Sequence, residues 1–254
     1  MTGSLTIVGL GPGPPELTTP AVAKALAAAT DLVGYDGYLA RVPDGPAGQR
    51  RHVSDNREEI TRARHALSLA SEGRTVTIVS GGDPGVFAMA AAVFEAVENG
   101  EASWRTLDIR VEPGVTAMLA AAAAAGAPLG GDFCAISLSD NLKSWETIAR
   151  RLEAAARGDF VIALYNPASR ARPHQLGEAF ALLRRWKDAE TPVILARAAG
   201  SHEARLTVTT LADPAALQAD MRTVVLIGAS TTRLIAREGA PPWVYTPRSE
   251  KALT

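Results

Sequence analysis

Asp83 is the acid best placed for chemistry in this chain. It follows Gly81 and Gly82 and precedes Pro84, where the β-branched run Thr75 to Val79 stops and an alanine-rich helical run begins. Glycine lets a ligand approach the main chain closely, and amides at a strand-to-helix loop are free to face it. An acid in such a cradle suits a ligand carrying hydroxyls, amines or positive charge better than a bare phosphate. The competing reading is that Asp83 caps the following helix. Two further loops repeat the glycine/proline chemistry: Gly9-Leu10-Gly11-Pro12-Gly13 and Glu112-Pro113-Gly114-Val115-Thr116-Ala117. Thr116 offers either a ligand hydroxyl or an N-cap. In the second half, Tyr165-Asn166-Pro167 ends an apolar run, and the neutral Asn166 amide supplies both a donor and an acceptor.

Other chemistries find little support. Gly9-x-Gly11-x-Gly13, with Asp36 further on, could open a dinucleotide site. Pro14 stands where the third glycine should fall, Pro12 removes an amide, and the next helix starts late at Pro20, so a rigid proline-fixed turn is the better reading. His52, His65, His174 and His202 lack ligand spacing, and Cys134 is the single cysteine, so no metal site is expected. There is no G-x-S-x-G elbow and no P-loop. Acid-base work falls to carboxylates or solvent.

The bulk properties narrow the class. Among 254 residues, 26 Lys and Arg face 27 Asp and Glu, a net charge of -1 that argues against a nucleic-acid partner. One cysteine fits a reducing, cytoplasmic compartment. Met1 to Thr6 lacks a basic n-region. Met118 to Leu129, the most apolar stretch, falls short of the ~20 residues a membrane span needs, so no membrane association is expected.

Periodicity gives the elements that must position these loops. Strand-like runs at Leu5–Val8, Leu32–Gly34, Thr75–Ser80 and Leu107–Val111 alternate with helical runs at Pro20–Ala29, Asn56–Glu72, Val86–Glu98 and Thr116–Ala125. That rhythm predicts α/β architecture on a mostly parallel sheet, with its loops gathered beyond the carboxyl ends of the strands. Thr19 before Pro20 reads as an N-cap, Asp55 with Glu58 as a capping box, and Gly73 as a helix stop. The glycine/proline segment Gly126 to Gly131 predicts a boundary, giving domains 1–126 and 127–254. The second half offers strands at Phe133–Leu138, Phe160–Tyr165, Val193–Arg197, Leu206–Thr210 and Thr223–Ile227, with helices at Trp145–Arg157 and Gln175–Trp186. Only eight residues separate Arg197 from Leu206, too few for a helical crossover, so this sheet should be mixed.

Taken together, Gly9-Leu10-Gly11-Pro12-Gly13, Ser80-Gly81-Gly82-Asp83-Pro84 and Pro113-Gly114-Val115-Thr116-Ala117 resemble the tetrapyrrole methylase family in order and spacing. Gly126 to Phe133, Ile136-Ser137-Leu138-Ser139-Asp140-Asn141-Leu142, Leu164-Tyr165-Asn166-Pro167 and Thr246-Pro247-Arg248 resemble the branch acting at C17 of a precorrin ring. The resemblance implies two α/β domains with the active-site cleft between them, a homodimer, and S-adenosylmethionine as methyl donor. It also implies a small-molecule tetrapyrrole substrate, methylated at C17 with ring contraction in cobalamin biosynthesis. By the family pattern, Pro12, Gly81, Gly82, Asp83, Val86, Thr116, Ala117, Tyr165 and Asn166 would line the donor site. Contraction requires a hydroxyl to lose its proton as a bridge carbon is extruded, and Asp140 is the candidate base. Asp140 as a simple turn cap is the equal alternative. Ser139, Asn141, Arg170 and Arg172 are candidate substrate contacts, the arginines because the macrocycle carries carboxylates. A cobalt-containing macrocycle, a sibling corrin-ring methylase, a non-catalytic donor sensor and a nicotinamide enzyme remain as alternatives. Thr246-Pro247-Arg248 is followed by Ser249-Glu250, where the family pattern leads one to expect an aromatic residue.

Overall fold

The computed structural model describes residues 3–55, 58–169, 171–213 and 217–249. The chain divides into two compact units, Met1–Thr116 and Ala117–Thr254. The division falls ahead of the alanine helix Ala117–Ala125 rather than in the Gly126–Gly131 segment. That helix buries Ala121, Ala122 and Ala125 in a cluster made of second-unit strands, so it belongs to the second unit.

In the first unit, β1 (Ser4–Gly9), β2 (Asp31–Tyr35), β3 (Arg50–Ser54), β4 (Thr75–Ser80) and β5 (Asp108–Glu112) form a sheet in the order β3-β2-β4-β1-β5. Every pairing in it is parallel. Successive side chains point to opposite faces, and both faces are covered. Ile7 and Ile78 pack with α3 (Glu59–Ser71) and α4 (Met89–Glu98), whereas Val8 and Val79 pack with Val22 of α1 (Pro20–Ala28) and Leu39 of α2 (Asp36–Leu39). Burial on both faces is why Val8 and Val79, which follow Ile7 and Ile78, are apolar as well.

Local signals mostly act as read. The Thr19 hydroxyl accepts from the Val22 amide at 3.3 Å with Pro20 in the first turn. Gly73, at φ +88, ends α3 with Gly73 N–H on Ala70 O and Arg74 N–H on Leu69 O, a Schellman closure. α3 starts at Glu59, and Asn56, where that helix was expected to start, lies outside the described residues. The Asp55 amide donates to Glu58 Oε2 at 3.3 Å, but Glu58 is itself the N-cap of α3 and makes no side-chain cap bond, so the helix does not start from Asp55 as a capping box would require. α4 starts at Met89 rather than Val86, because Phe87 adopts φ +53, which no right-handed helix contains. β3 was not anticipated: Arg50, Arg51, His52 and Ser54 carry no apolar alternation, as suits a charged edge strand.

In the second unit, β7 (Phe133–Ser137), β8 (Val161–Tyr165), β9 (Pro192–Arg197), β10 (Arg205–Thr210) and β11 (Thr223–Ile227) run β10-β9-β11-β8-β7. β7 and β8 are parallel, and the remaining pairings are antiparallel, including β9 with β10. α6 (Trp145–Arg157) is capped by Ser144 and buries Ile148, Leu152, Ala155 and Ala156, one stripe at helical spacing. It packs with α7 (Gln175–Leu183) on one face, and α5 (Ala117–Ala125) lies on the other. β6 (Gly126–Ala127), β12 (Arg233–Ile235) and β13 (Trp243–Tyr245) form a small third sheet, with β13 parallel to β6. It brings Thr246 onto the glycine-rich segment, where its hydroxyl donates to Pro128 O at 2.6 Å. No helix among the described residues is long and apolar enough to cross a membrane.

Candidate functional site

The loops leaving β1, β4 and β5 are welded through their backbones. Gly11 and Gly82 exchange N–H···O bonds, both at 3.1 Å, and each has positive φ, +70 and +60. Gly9 and Gly114 close the junction. A Cβ on Gly114 would sit 2.2 Å from Gly82 O and 2.5 Å from Gly9 O, and one on Gly9 would sit 2.4 Å from Gly82 O. Only glycine permits that approach. Asp83 ties the second loop to the third: Oδ1 accepts from Gly85 N–H at 2.8 Å and Oδ2 from Gly114 N–H at 3.1 Å. The carboxylate caps a loop and its neighbour rather than a helix start. Each oxygen keeps a second lone pair for a ligand donor.

Arg41 and Tyr38 support the first and second loops, and periodicity did not reveal them. The Arg41 guanidinium donates to the carbonyls of Leu10, Gly11 and Gly13 at 3.3, 3.0 and 3.2 Å, holding the first loop against α2. Burial pulls its pKa down. Tyr38 fills the space beside Gly81, whose hypothetical Cβ would meet the ring at 2.7 Å, and burial raises the phenol's pKa. Neither residue lies in a glycine motif. The one available signal was their place in a short run just past β2, on the same sheet edge.

In the second unit the loops are shaped by side chains. Asn166, the first residue past β8, takes φ +53, and its Nδ2 donates to Ser137 Oγ at 2.9 Å. The Ser139 amide donates to the same oxygen at 3.3 Å. Tyr165 Oη accepts from the Met118 amide at 3.1 Å, fixing the ring against the start of α5. Asp140 Oδ1 faces Arg172 Nε at 3.7 Å, while Arg172 Nη1 is buried without a hydrogen-bond partner among the described residues.

Gly81, Gly82 and Asp83 thus share one carboxyl edge with Pro12, Val86 and the buried Thr116. Ser139, Asp140, Tyr165, Asn166 and Arg172 share the carboxyl ends of β7 and β8, and Asn141 is exposed in the same loop. Ala117 opens α5. Arg170 lies outside the described residues. Asp36 begins α2. Among the described residues no group of three or more His, Cys, Asp or Glu is arranged to hold a metal ion.

In this chain a doubly covered parallel sheet with glycine-welded loops is followed by a mixed sheet. The chain belongs to the tetrapyrrole (corrin/porphyrin) methylases, whose profile matches residues 4–215. It is 57% identical to a precorrin-3B C(17)-methyltransferase from Sinorhizobium sp., over 98% of this chain and 97% of that protein. The solved structure of the methyltransferase CobJ matches with a TM-score of 0.90 at 53% identity, covering 96% of this chain and all of that one. A uroporphyrin-III C-methyl transferase from Thermus thermophilus, complexed with S-adenyl homocysteine, shares the fold at 22% identity, with a TM-score of 0.66 and coverage of 89% and 97%.

Proposed function

We propose that this protein methylates precorrin-3B at C17, using S-adenosylmethionine, and contracts the ring to precorrin-4 in cobalamin biosynthesis. The observation that carries the reading is the mutual closure of the Gly9–Gly13, Gly81–Asp83 and Gly114 loops at the carboxyl edge of a parallel sheet. The relative 57% identical over nearly the whole chain supports the substrate and position. The groups present suit such a ligand: carbonyls, a carboxylate, a threonine hydroxyl and a neutral amide can meet its hydroxyls, amines and positive charge. Pro12, Gly81, Gly82, Asp83, Val86, Thr116, Ala117, Tyr165 and Asn166 hold the methyl donor. When bound, the sulfonium supplies an activated methyl group, so no protein nucleophile is required. Positioning then contributes up to roughly 7–11 kcal/mol.

Arg172 and Arg170 receive carboxylates of the macrocycle, and Ser139 and Asn141 contact its rim. Asp140 accepts the hydroxyl proton whose loss drives contraction. Asp140→Asn should suppress contraction, and wild-type rates of both steps would remove it from that role. The enzyme works as a homodimer in the cytoplasm.

Purified protein incubated with labelled S-adenosylmethionine and precorrin-3B, beside the cobalt-containing analogue, tests the whole reading. One added methyl by mass with a contracted-ring absorbance on precorrin-3B is the expected outcome. Donor binding without turnover on either macrocycle would overturn it.

A further inference from the structure

Ser137 is the last residue of β7 and is 4% exposed. Its backbone neighbour Leu138 still donates to Tyr165 O at 2.9 Å, so the ladder between β7 and β8 runs one step past the strand. Ser139 is next, and its amide turns back to Ser137 Oγ. Asn166 leaves the adjacent strand in a left-handed conformation, and its amide nitrogen reaches the same oxygen. A hydroxyl has two acceptor lone pairs, and both are taken here. One buried oxygen therefore closes two loops that depart from neighbouring parallel strands. A left-handed asparagine persists where its surroundings hold it, and the Ser137 bond is the side-chain contact that holds this one.

We propose that Ser137 is a positioning residue that couples methyl-donor binding by Asn166 to substrate placement by Ser139 and Asp140. The proposal rests on the functional reading above and adds a residue that touches neither ligand. Replacing the hydroxyl frees two loops at once, so both steps of the reaction should respond to one change far smaller than a fold defect.

The test compares wild type with Ser137→Ala, Ser137→Thr, Asn166→Ala and the Ser137→Ala/Asn166→Ala double variant. Donor dissociation constants come from calorimetry, and the ratio of contracted to merely methylated product from mass spectrometry. Ser137→Ala should raise the donor constant about fivefold to tenfold, as loss of one net hydrogen bond would. It should also lower the contracted share. Ser137→Thr, which keeps the oxygen, should restore both. The double variant should bind the donor no more weakly than Asn166→Ala alone, because both changes break one connection. A Ser137→Ala protein that melts earlier yet keeps wild-type donor affinity and product ratio overturns the proposal, as does additivity in the double variant. Crystal structures of wild type and Ser137→Ala separate this idea from the reading beneath it. Residue 166 should leave its left-handed conformation in the variant whether or not donor binds, and an unmoved Asn166 refutes the coupling. Absence of donor binding by wild type would instead refute the methyl-transfer reading.

Discussion

The two units solve the same problem, holding loops at the ends of strands, by different means. The first uses backbone: Gly11 and Gly82 form a bridge, Gly9 and Gly114 make room for it, and Asp83 and Arg41 tie the loops through main-chain amides and carbonyls. The second uses side chains: Ser137 to Asn166, Asp140 to Arg172, and Tyr165 to the start of α5. A backbone junction leaves no volume for substitution. Side-chain junctions alter locally without disturbing the sheet.

The largest expected effect strikes the backbone junction. Gly114→Ala drives a Cβ to 2.2 Å from Gly82 O, where only main chain could yield. It should cost about 3 kcal/mol by denaturant unfolding and abolish donor binding, as overpacking with no flexible neighbour does. Wild-type stability would show that the junction is looser than its geometry. Asp83→Ala comes next, leaving the Gly85 and Gly114 amides without their acceptor. About 1–3 kcal/mol should be lost in the same assay, with weakened donor affinity. If donor affinity alone changed, the carboxylate would be a ligand contact and not a loop tie.

Arg172→Ala addresses the side-chain junction and should leave stability and donor affinity close to wild type. Steady-state kinetics should show the macrocycle KM raised about tenfold, which corresponds to about 1.4 kcal/mol. An unchanged KM would dissociate Arg172 from the substrate.

The smallest effect is a slope in pH, to which the first unit contributes through Asp31 and His65, while Asp159 and Asp220 of the second unit, also held low, add to its acid part. Asp31, 1% exposed, accepts from Thr30 at 2.8 Å, His52 Nε2 at 2.8 Å and Arg74 at 3.1 Å, and His52 Nδ1 lies 3.0 Å from His65 Nε2. Burial works against the Asp31 charge, but these bonds outweigh it and hold the carboxyl below its ordinary 3.8. Burial first, then His52, draws His65 below 6.5, with Glu72 and Arg74 also facing it. Both folded pKa values are depressed, so both contributions are full above the unfolded values and shrink as pH falls. Calorimetric melting should therefore decline from about pH 6.5 downward. His65→Gln should flatten the upper part of that decline and Asp31→Asn the part near pH 4. A slope that both variants leave unchanged would place the acid-sensitive group elsewhere.

Much of the fold was legible because burial on both faces makes a strand apolar, and because caps such as Thr19 and Ser144 act within one turn. β3 escaped because an edge strand carries charge, and the late start of α4 escaped because nothing in Val86-Phe87-Ala88 announces a left-handed phenylalanine. Of the site, the glycine loops, Asp83, Thr116 and Asn166 were visible as residue types at strand ends. Arg41, Tyr38 and Ser137 were not, since a side chain that serves a distant loop leaves no periodic trace.

From sequence alone came most of the longer strands and helices, the largely parallel first sheet, the mixed second sheet and the glycine/proline loops, all consequences of contacts within a few residues or of simple alternation. Tertiary structure alone decided that Gly9, Gly82 and Gly114 meet in one junction and that Thr246 docks on Pro128. It alone put one serine oxygen beneath two loops. The Asn166 to Ser137 and Thr246 to Pro128 bonds join residues 29 and 118 positions apart, and such pairings depend on the sheet order, which no local propensity encodes.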